Sequence, residues 1–256
     1  MLDDELLARN PAYIRGAGVS GHRKNLRPAS LDELAAMVDA MPEQRRLLLL
    51  LATWCALRSG ELRELRRSDI ELGRDEDGDA FGWVHVRRAV VLASTGETQR
   101  GRRTAAVVGT PKTDAGLRTV SVPEMLLPTV REHLLRHAAP GNDGLLFPSD
   151  RDPAVHLSET TLNGRAAVLT KDGTVVRAGF GWREAKRRAG RSDLTLHDLR
   201  HTGASLAGEE GASMAELMYR LGHSTPAMAM RYQHSRRERD RDLGRRLSAR
   251  AQRSAN

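Results

Sequence analysis

The stretch LTLHDLRHTGASLAGEEGASMAELMYRLGHS, residues 194–224, contains two of the short polar blocks from which the fold and the chemistry of this chain are predicted. Its His-x-x-Arg block places His197 three residues before Arg200, on one face of a predicted helix. Its Leu-Gly-His block ends at His223, and Tyr232 follows after 232 − 223 = 9 residues. The order and spacing of these groups are more specific than any one of them alone.

Two further blocks lie upstream, ALRSGEL at residues 56–62 and PKT at residues 111–113, and they contribute Arg58 and Lys112. Taken singly, each has a simpler explanation. Arg58 is compatible with a surface arginine paired with Glu61, three residues on. Lys112 alone is typical of a solvated turn lysine. The blocks together, however, supply the polar groups that phosphoryl transfer to a tyrosine requires.

The role expected of each group follows from the chemistry of that transfer. A phosphodiester attacked in line develops negative charge on its non-bridging oxygens, which guanidinium groups such as Arg58 and Arg200 stabilise. A protonated tyrosine, with a pKa of about 10, is a poor nucleophile, so we expect His197 to accept its proton. We expect His223 to donate a hydrogen bond to the phosphate. Lys112 is the candidate general acid for the leaving 5′-oxygen.

At these blocks the chain resembles the tyrosine recombinase and phage integrase family, over roughly Ser30 to Ser235. The family's signature is an arginine, a lysine on a β-turn, a His-x-x-Arg, a Leu-Gly-His and a tyrosine. The resemblance implies a site-specific recombinase or integrase that cleaves and rejoins DNA strands through a 3′-phosphotyrosine intermediate. It assigns the catalytic roles to Arg58, Lys112, His197, Arg200, His223 and Tyr232.

Neither a metal nor another cofactor is predicted. A phosphotyrosine retains the energy of the broken bond, so a 5′-hydroxyl can reseal the strand without ATP. The sequence has no Gly-x-x-x-x-Gly-Lys-Ser/Thr loop and no acidic cluster suited to two magnesium ions. His197 and His201 have the spacing of a helical zinc pair, but a zinc protease would need glutamate in place of Asp198 and a third ligand downstream.

The predicted fold class is mainly α with a small antiparallel β-sheet (α+β), the fold of the tyrosine recombinase catalytic domain, a DNA breaking-rejoining enzyme. Ser30 and Glu33 form a capping box for a first helix that ends near Met41. A buried helix from about Glu43 to Ala56 follows, and Ser59 is expected to cap a short third helix to about Arg66.

Strand-forming residues from Trp83 to Leu92 and from Leu117 to Val122 predict a small sheet whose turn presents Lys112. Pro123 is expected to start a helix to about His137. Tyr232 is placed on a helix capped by Thr225 and Pro226, where it would also fit a core aromatic residue.

Three segments are predicted: residues 1–27 as an arm that resembles an interdomain linker, 28–235 as the catalytic domain, and 236–256 as a tail that could contact other subunits. The family's usual N-terminal helical domain is expected to be missing, so DNA affinity should be weak. The segment from Thr161 to Phe180 is expected to be an insertion.

The composition indicates a nucleic-acid partner. The net charge is 41 − 33 = +8 and the sequence pI is about 10.4, as expected of a protein that binds polyphosphate. The single cysteine, Cys55, and the absence of a long apolar run in the sequence predict a cytoplasmic protein without membrane contact, associated with the nucleoid when bound to DNA.

The expected partners are double-stranded DNA and three further copies of the chain, as a homotetramer on paired recombination sites. Two alternatives stay open. One is a truncated integrase fragment that binds DNA without productive recombination. The other is a type IB topoisomerase, which shares the phosphotyrosine mechanism.

Overall fold

The chain is described by a computed structural model over residues 27–99, 102–109, 116–170 and 172–223. Helices predominate in these ranges, as the sequence predicts. They are α1 (Leu31–Ala40), α2 (Glu43–Trp54), α3 (Ser59–Glu64), α4 (Leu127–Arg136), α5 (Glu159–Asn163), α6 (Gly181–Arg188), α7 (Leu196–Glu209) and α8 (Met214–Leu221). Short 3-10 turns cover Arg67–Asp69 and Glu124–Leu126.

Small antiparallel sheets complete the α+β architecture. The strands are β1 (Ile70–Arg74), β2 (Ala80–Val86), β3 (Ala89–Gln99), β4 (Arg102–Gly109), β5 (Arg118–Ser121), β6 (Val168–Leu169) and β7 (Val175–Arg177). One sheet has the order β1-β2-β5, whereas β3 with β4 and β6 with β7 form separate hairpins. The predicted pairing of the two strand-forming runs is confirmed by β2 and β5, in which Val84 lies opposite Val120.

The start of α1 agrees with the predicted capping box. The Ser30 hydroxyl accepts a hydrogen bond from the Glu33 backbone N–H at 3.2 Å, and the Glu33 carboxylate accepts one from the Ser30 N–H at 2.8 Å. These two bonds satisfy donors that a helix end otherwise leaves unpaired. The helix ends at Ala40, one residue before the predicted end.

Helix α2 supplies the centre of the core. Leu47, Leu48, Leu49 and Leu51 are all at most 1 % exposed, which confirms the predicted burial. The predicted end at Ala56 is wrong, because α2 stops at Trp54 and Ala56 has a φ of +52°, outside the helical region.

The third helix is capped differently from the prediction. Arg58, rather than Ser59, is its N-cap residue, because the Arg58 backbone N–H donates to the Glu61 carboxylate at 2.8 Å. The helix ends at Glu64, before the predicted Arg66, where the chain turns into the 3-10 segment. Pro123 likewise precedes a 3-10 turn, and the regular helix α4 begins only at Leu127.

The strand predicted from Trp83 to Leu92 is two strands in different sheets. β2 ends at Val86, and β3 begins at Ala89 and pairs with β4 instead. The Gly-rich basic segment between the two predicted strands is therefore largely a long hairpin. Its base packs against α3, since a Cβ at Gly60 would lie 2.6 Å from the carbonyl oxygen of Val90.

The predicted insertion, Thr161 to Phe180, contains the end of α5 and the hairpin of β6 and β7. Both strands of this hairpin are exposed along their length. The predicted tail and nearly all of the predicted arm lie outside the described residues, so the segment boundaries stay predictions. Within the described part of the chain, no helix is long and apolar enough to span a bilayer.

Helices α2 and α7 approach most closely at Gly203. A Cβ there would lie 1.7 Å from the carbonyl oxygen of Thr53, far inside van der Waals contact. Both helices are buried along this contact, with Thr53 fully enclosed and Thr202 1 % exposed. Only glycine permits this separation of the two helices.

We therefore expect Gly203→Ala to lower the free energy of unfolding by ~1–3 kcal/mol, as overpacking does, although alanine is the better helix former. Urea denaturation followed by circular dichroism measures this. Gly109→Ala is the matched control, because a Cβ there meets nothing within 4 Å. A Gly203→Ala protein as stable as the wild type would contradict the close contact.

Candidate active site

Arg58 lies in the turn between α2 and α3. Its Nη1 donates to Glu61 Oε1 at 2.7 Å, and its Nη2 donates to the carbonyl oxygen of Gly222 at 2.8 Å. The second bond reaches across 164 positions of sequence to the turn after α8. The Arg58 side chain is 36 % exposed, so part of it is accessible to a ligand.

Arg200 occupies the interior of α7 and is 1 % exposed. Its guanidinium donates to the carbonyl oxygens of Ala56 and Leu221. These carbonyls belong to the same two turns that Arg58 connects. The two arginines therefore converge on one place, as the spacing of the motifs predicts, although Arg58 and Arg200 are far apart in the chain.

His223 follows α8 directly. Gly222 ends that helix in the left-handed conformation, with a φ of +58°, and the His223 backbone N–H donates to the carbonyl oxygen of Met218 at 2.9 Å. Glycine adopts this conformation without a steric penalty, which explains the Leu-Gly-His order. Among the described residues, no group forms a hydrogen bond with the buried Nδ1 of His223.

The surroundings of His223 are electropositive. Burial, together with the positive charges of Arg200 and Arg58, lowers the pKa of His223 from 6.5 to about 4. His201 and Arg118 add smaller contributions in the same direction. The imidazole is therefore neutral at pH 7 in the unliganded protein, and a bound anion would offset the charges that keep it so.

Beneath the two turns lies an ion pair between Glu61 and Arg118. Arg118 Nη1 and Nη2 donate to the two carboxylate oxygens of Glu61 at 3.0 and 2.8 Å, and the side chains are 0 % and 2 % exposed. Burial alone would raise the pKa of Glu61, but the bonds and charges of Arg118 and Arg58 outweigh it and lower the pKa to about 2.

From the sequence, Glu61 is predicted only as a partner of Arg58, and Arg118 is not predicted at all. The sequence signal for Arg118 is its place in a strand whose side chains alternate between the two faces. In β5, Arg118 and Val120 are buried while Thr119 and Ser121 are not. A charged residue at an inward position of a short strand indicates a buried partner of opposite charge.

His197 stands in the first turn of α7 and is exposed. Its ring packs edge-to-face on that of His201, with the centroids 4.6 Å apart. His201 contributes to the lowering of the pKa of His223. The histidine pair therefore lies near the two turns. No cluster of three potential metal ligands that could complete a zinc site is present in the described part of the chain.

Two predicted catalytic residues lie outside the described residues. Lys112 falls between the end of β4 at Gly109 and the start of β5 at Arg118, and Tyr232 comes nine positions after His223. Their roles therefore stay predictions. The geometry brings together Arg58, Arg200 and His223, with His197 on the helix of Arg200.

The fold is that of a tyrosine recombinase catalytic domain. The Tn1549 transposon integrase, solved with transposon right end DNA, superimposes with a TM-score of 0.64 at 16 % identity, covering 94 % of this chain and 73 % of that one. XerA recombinase superimposes with a TM-score of 0.52 at 19 % identity, covering 87 % of this chain and 64 % of that one.

The sequence model of the phage integrase family matches residues 100–239, more than half of the chain. The chain belongs to this family. It is 42 % identical over 247 residues to a putative prophage phiRv2 integrase of Mycobacterium tuberculosis, and 34 % identical over 250 residues to an integrase of Mycobacterium phage D29. Each match covers 96 % of this chain, which spans 57 % and 58 % of the respective relatives.

The buried carboxylate of Glu61 predicts a specific dependence of stability on pH. Its pKa falls from 4.5 in the unfolded chain to about 2 in the folded one, so its contribution is complete above pH 4.5 and is lost as the pH falls towards 2. We expect the difference in free energy of unfolding between the wild type and Glu61→Gln to shrink by on the order of 3 kcal/mol across that window.

Urea denaturation of both proteins at a series of pH values measures this difference. Glu209→Gln, at an exposed position at the end of α7, controls for the loss of one carboxylate. A difference between wild type and Glu61→Gln that stays constant from pH 5 to pH 2 would show that Glu61 is not held ionised by its arginines.

Proposed function

We propose that this chain is the catalytic part of a site-specific DNA recombinase of the integrase type. The observation that carries the proposal is the convergence of Arg58, Arg200 and His223 on two adjoining turns. The relatives named as integrases at 42 % and 34 % identity support it.

The proposed ligand of the two turns is one phosphodiester group of duplex DNA. Arg58 and Arg200 stabilise the charge that develops on its non-bridging oxygens. A phosphate beside His223 offsets the repulsion from the two arginines, so the imidazole becomes a better hydrogen-bond donor when DNA is bound. Within the described part of the site, the carboxylate of Glu61 offsets one of the positive charges of the arginines, so positive charge remains for the phosphate.

In the proposed reaction the Tyr232 hydroxyl oxygen attacks phosphorus and the bond to the 5′-oxygen breaks. His197 accepts the tyrosine proton and Lys112 supplies a proton to the leaving oxygen. The product is a 3′-phosphotyrosine and a free 5′-hydroxyl. Attack of another strand's 5′-hydroxyl on this ester reverses the step and joins the two strands, with no net change in bond number.

The proposed assembly is a homotetramer on paired sites in duplex DNA. The Tn1549 transposon integrase, which shares the fold, was solved with transposon right end DNA, which supports DNA as the partner. A chain that acts on bacterial or prophage DNA would work in the cytoplasm, at the nucleoid.

A covalent adduct is the direct test. Nicked suicide duplexes that tile the DNA flanking the gene release a short fragment after cleavage, so religation fails and the adduct accumulates. We expect the wild-type chain to form an adduct that migrates slowly in a denaturing gel, and Tyr232→Phe to form none. Tyr219→Phe is the matched control, since Tyr219 is 58 % exposed and bonds to the Thr119 N–H.

An adduct that survives in Tyr232→Phe would remove this mechanism. Specific retention of the duplex without any adduct from the wild type would favour the alternative function, DNA binding without recombination. Relaxation of supercoiled plasmid without sequence preference would instead identify a topoisomerase.

We also expect adduct formation to persist in excess EDTA. The arginines supply the positive charge that a metal-dependent nuclease obtains from bound ions. The measurement is the adduct rate in EDTA compared with the rate in magnesium, at matched ionic strength because DNA affinity depends on salt. Loss of cleavage in EDTA, restored by magnesium, would indicate a metal-dependent reaction.

A further inference from the structure

Arg118 is a fully enclosed cation of the site. Its side chain is 0 % exposed, and all three guanidinium nitrogens donate hydrogen bonds inside the protein. Nη1 bonds to Glu61 and to the carbonyl oxygen of Gly116 at 3.1 Å, Nη2 bonds to Glu61, and Nε bonds to the carbonyl oxygen of Arg220 at 3.0 Å. Because this side chain is fully enclosed, it does not reach the surface at which DNA would bind.

Its partners nevertheless belong to both turns that hold the candidate catalytic groups. Glu61 receives the backbone N–H and the Nη1 of Arg58. Arg220 lies in the last turn of α8, two residues before the glycine that precedes His223. Arg118 is the first residue of β5, which follows the segment containing Lys112 in the sequence.

We propose that Arg118 is a positioning residue. It sets the distance between the Arg58 turn and the His223 turn so that the side chains of Arg58 and His223 can bind the same phosphate. This inference rests on the proposed function. It assigns Arg118 no contact with DNA and no part in proton transfer. Its effect on the reaction passes through Glu61 and through the carbonyl oxygen of Arg220.

Stability alone does not account for an arginine at this place. A buried ion pair is often no more stabilising than apolar residues of the same volume, because both charges lose their hydration. The planar fork of arginine, however, binds both oxygens of one carboxylate and still directs Nε towards a third acceptor. Lysine has one ammonium group and cannot hold these partners in the same geometry.

The test is Arg118→Lys on the nicked suicide duplex that gives an adduct with the wild type. We expect the folded variant to bind this duplex within threefold of the wild type and to form the adduct on the order of 10²-fold more slowly, as displacements of about 1 Å in an active site do. Single-turnover rates at saturating protein separate the chemical step from binding. Circular dichroism and melting give the folded fraction by which the rates are normalised.

The matched control is Arg63→Lys. Arg63 is also buried, with its side chain 6 % exposed, and its Nε donates to the carbonyl oxygen of Leu157 at 2.6 Å, a residue that belongs to neither turn. A merely structural role for Arg118 predicts that both lysine variants form the adduct at the wild-type rate once normalised. That result would overturn the inference.

Should Arg118→Lys fail to fold, the double variant Arg118→Met/Glu61→Leu replaces the pair by apolar side chains, a change that buried ion pairs often tolerate. We expect it to fold, bind the duplex and lose adduct formation to at least the same extent, whereas a wild-type rate would overturn the inference. Absence of an adduct from the wild type overturns the proposed function, and the inference with it, so the two failures are distinguishable.

Discussion

The buried guanidinium of Arg200 needs hydrogen-bond acceptors inside the protein, and the arrangement of the site depends on which groups supply them. An unpaired cation at 1 % exposure would cost several kcal/mol. The carbonyl oxygens of Ala56 and Leu221 accept hydrogen bonds from this guanidinium. Ala56 follows the end of α2, and Leu221 is the last residue of α8. Helix α7 must therefore lie against both, and the missing side chain of Gly203 allows it to come close enough to α2.

Among the described residues, the site holds more positive than negative charge. Glu61 is the described carboxylate that bonds to both Arg58 and Arg118, and the guanidinium of Arg200 donates to the carbonyl oxygens of Ala56 and Leu221. Burial, together with this positive charge, lowers the pKa of His223. A protein that holds such an excess in a partly buried place is prepared for an anionic ligand before that ligand arrives, so little reorganisation is needed on binding.

Local signals and motif spacing were predictable from the sequence, and long-range pairings were not. The capping box of α1 was predictable because Ser30 and Glu33 are three residues apart. Arg58, Arg200 and His223 could be recognised because the chain resembles the signature of the tyrosine recombinase family, which has those groups in that order. The partition of β2 and β3 at residues 86–89 has no such local signal, since both strands are rich in β-branched residues. Arg118 was missed because its partner Glu61 is 57 positions away.

Gly60 lies between Arg58 and Glu61, and the carbonyl oxygen of Val90 occupies the space that a side chain would take there. The base of the hairpin of β3 and β4 thus rests directly on the backbone of the turn that orients Arg58. Neither can shift towards the other without a steric clash. A side chain at position 60 would therefore push the base of the hairpin and the turn of Arg58 apart, so this one glycine links the position of the hairpin to the position of the arginine.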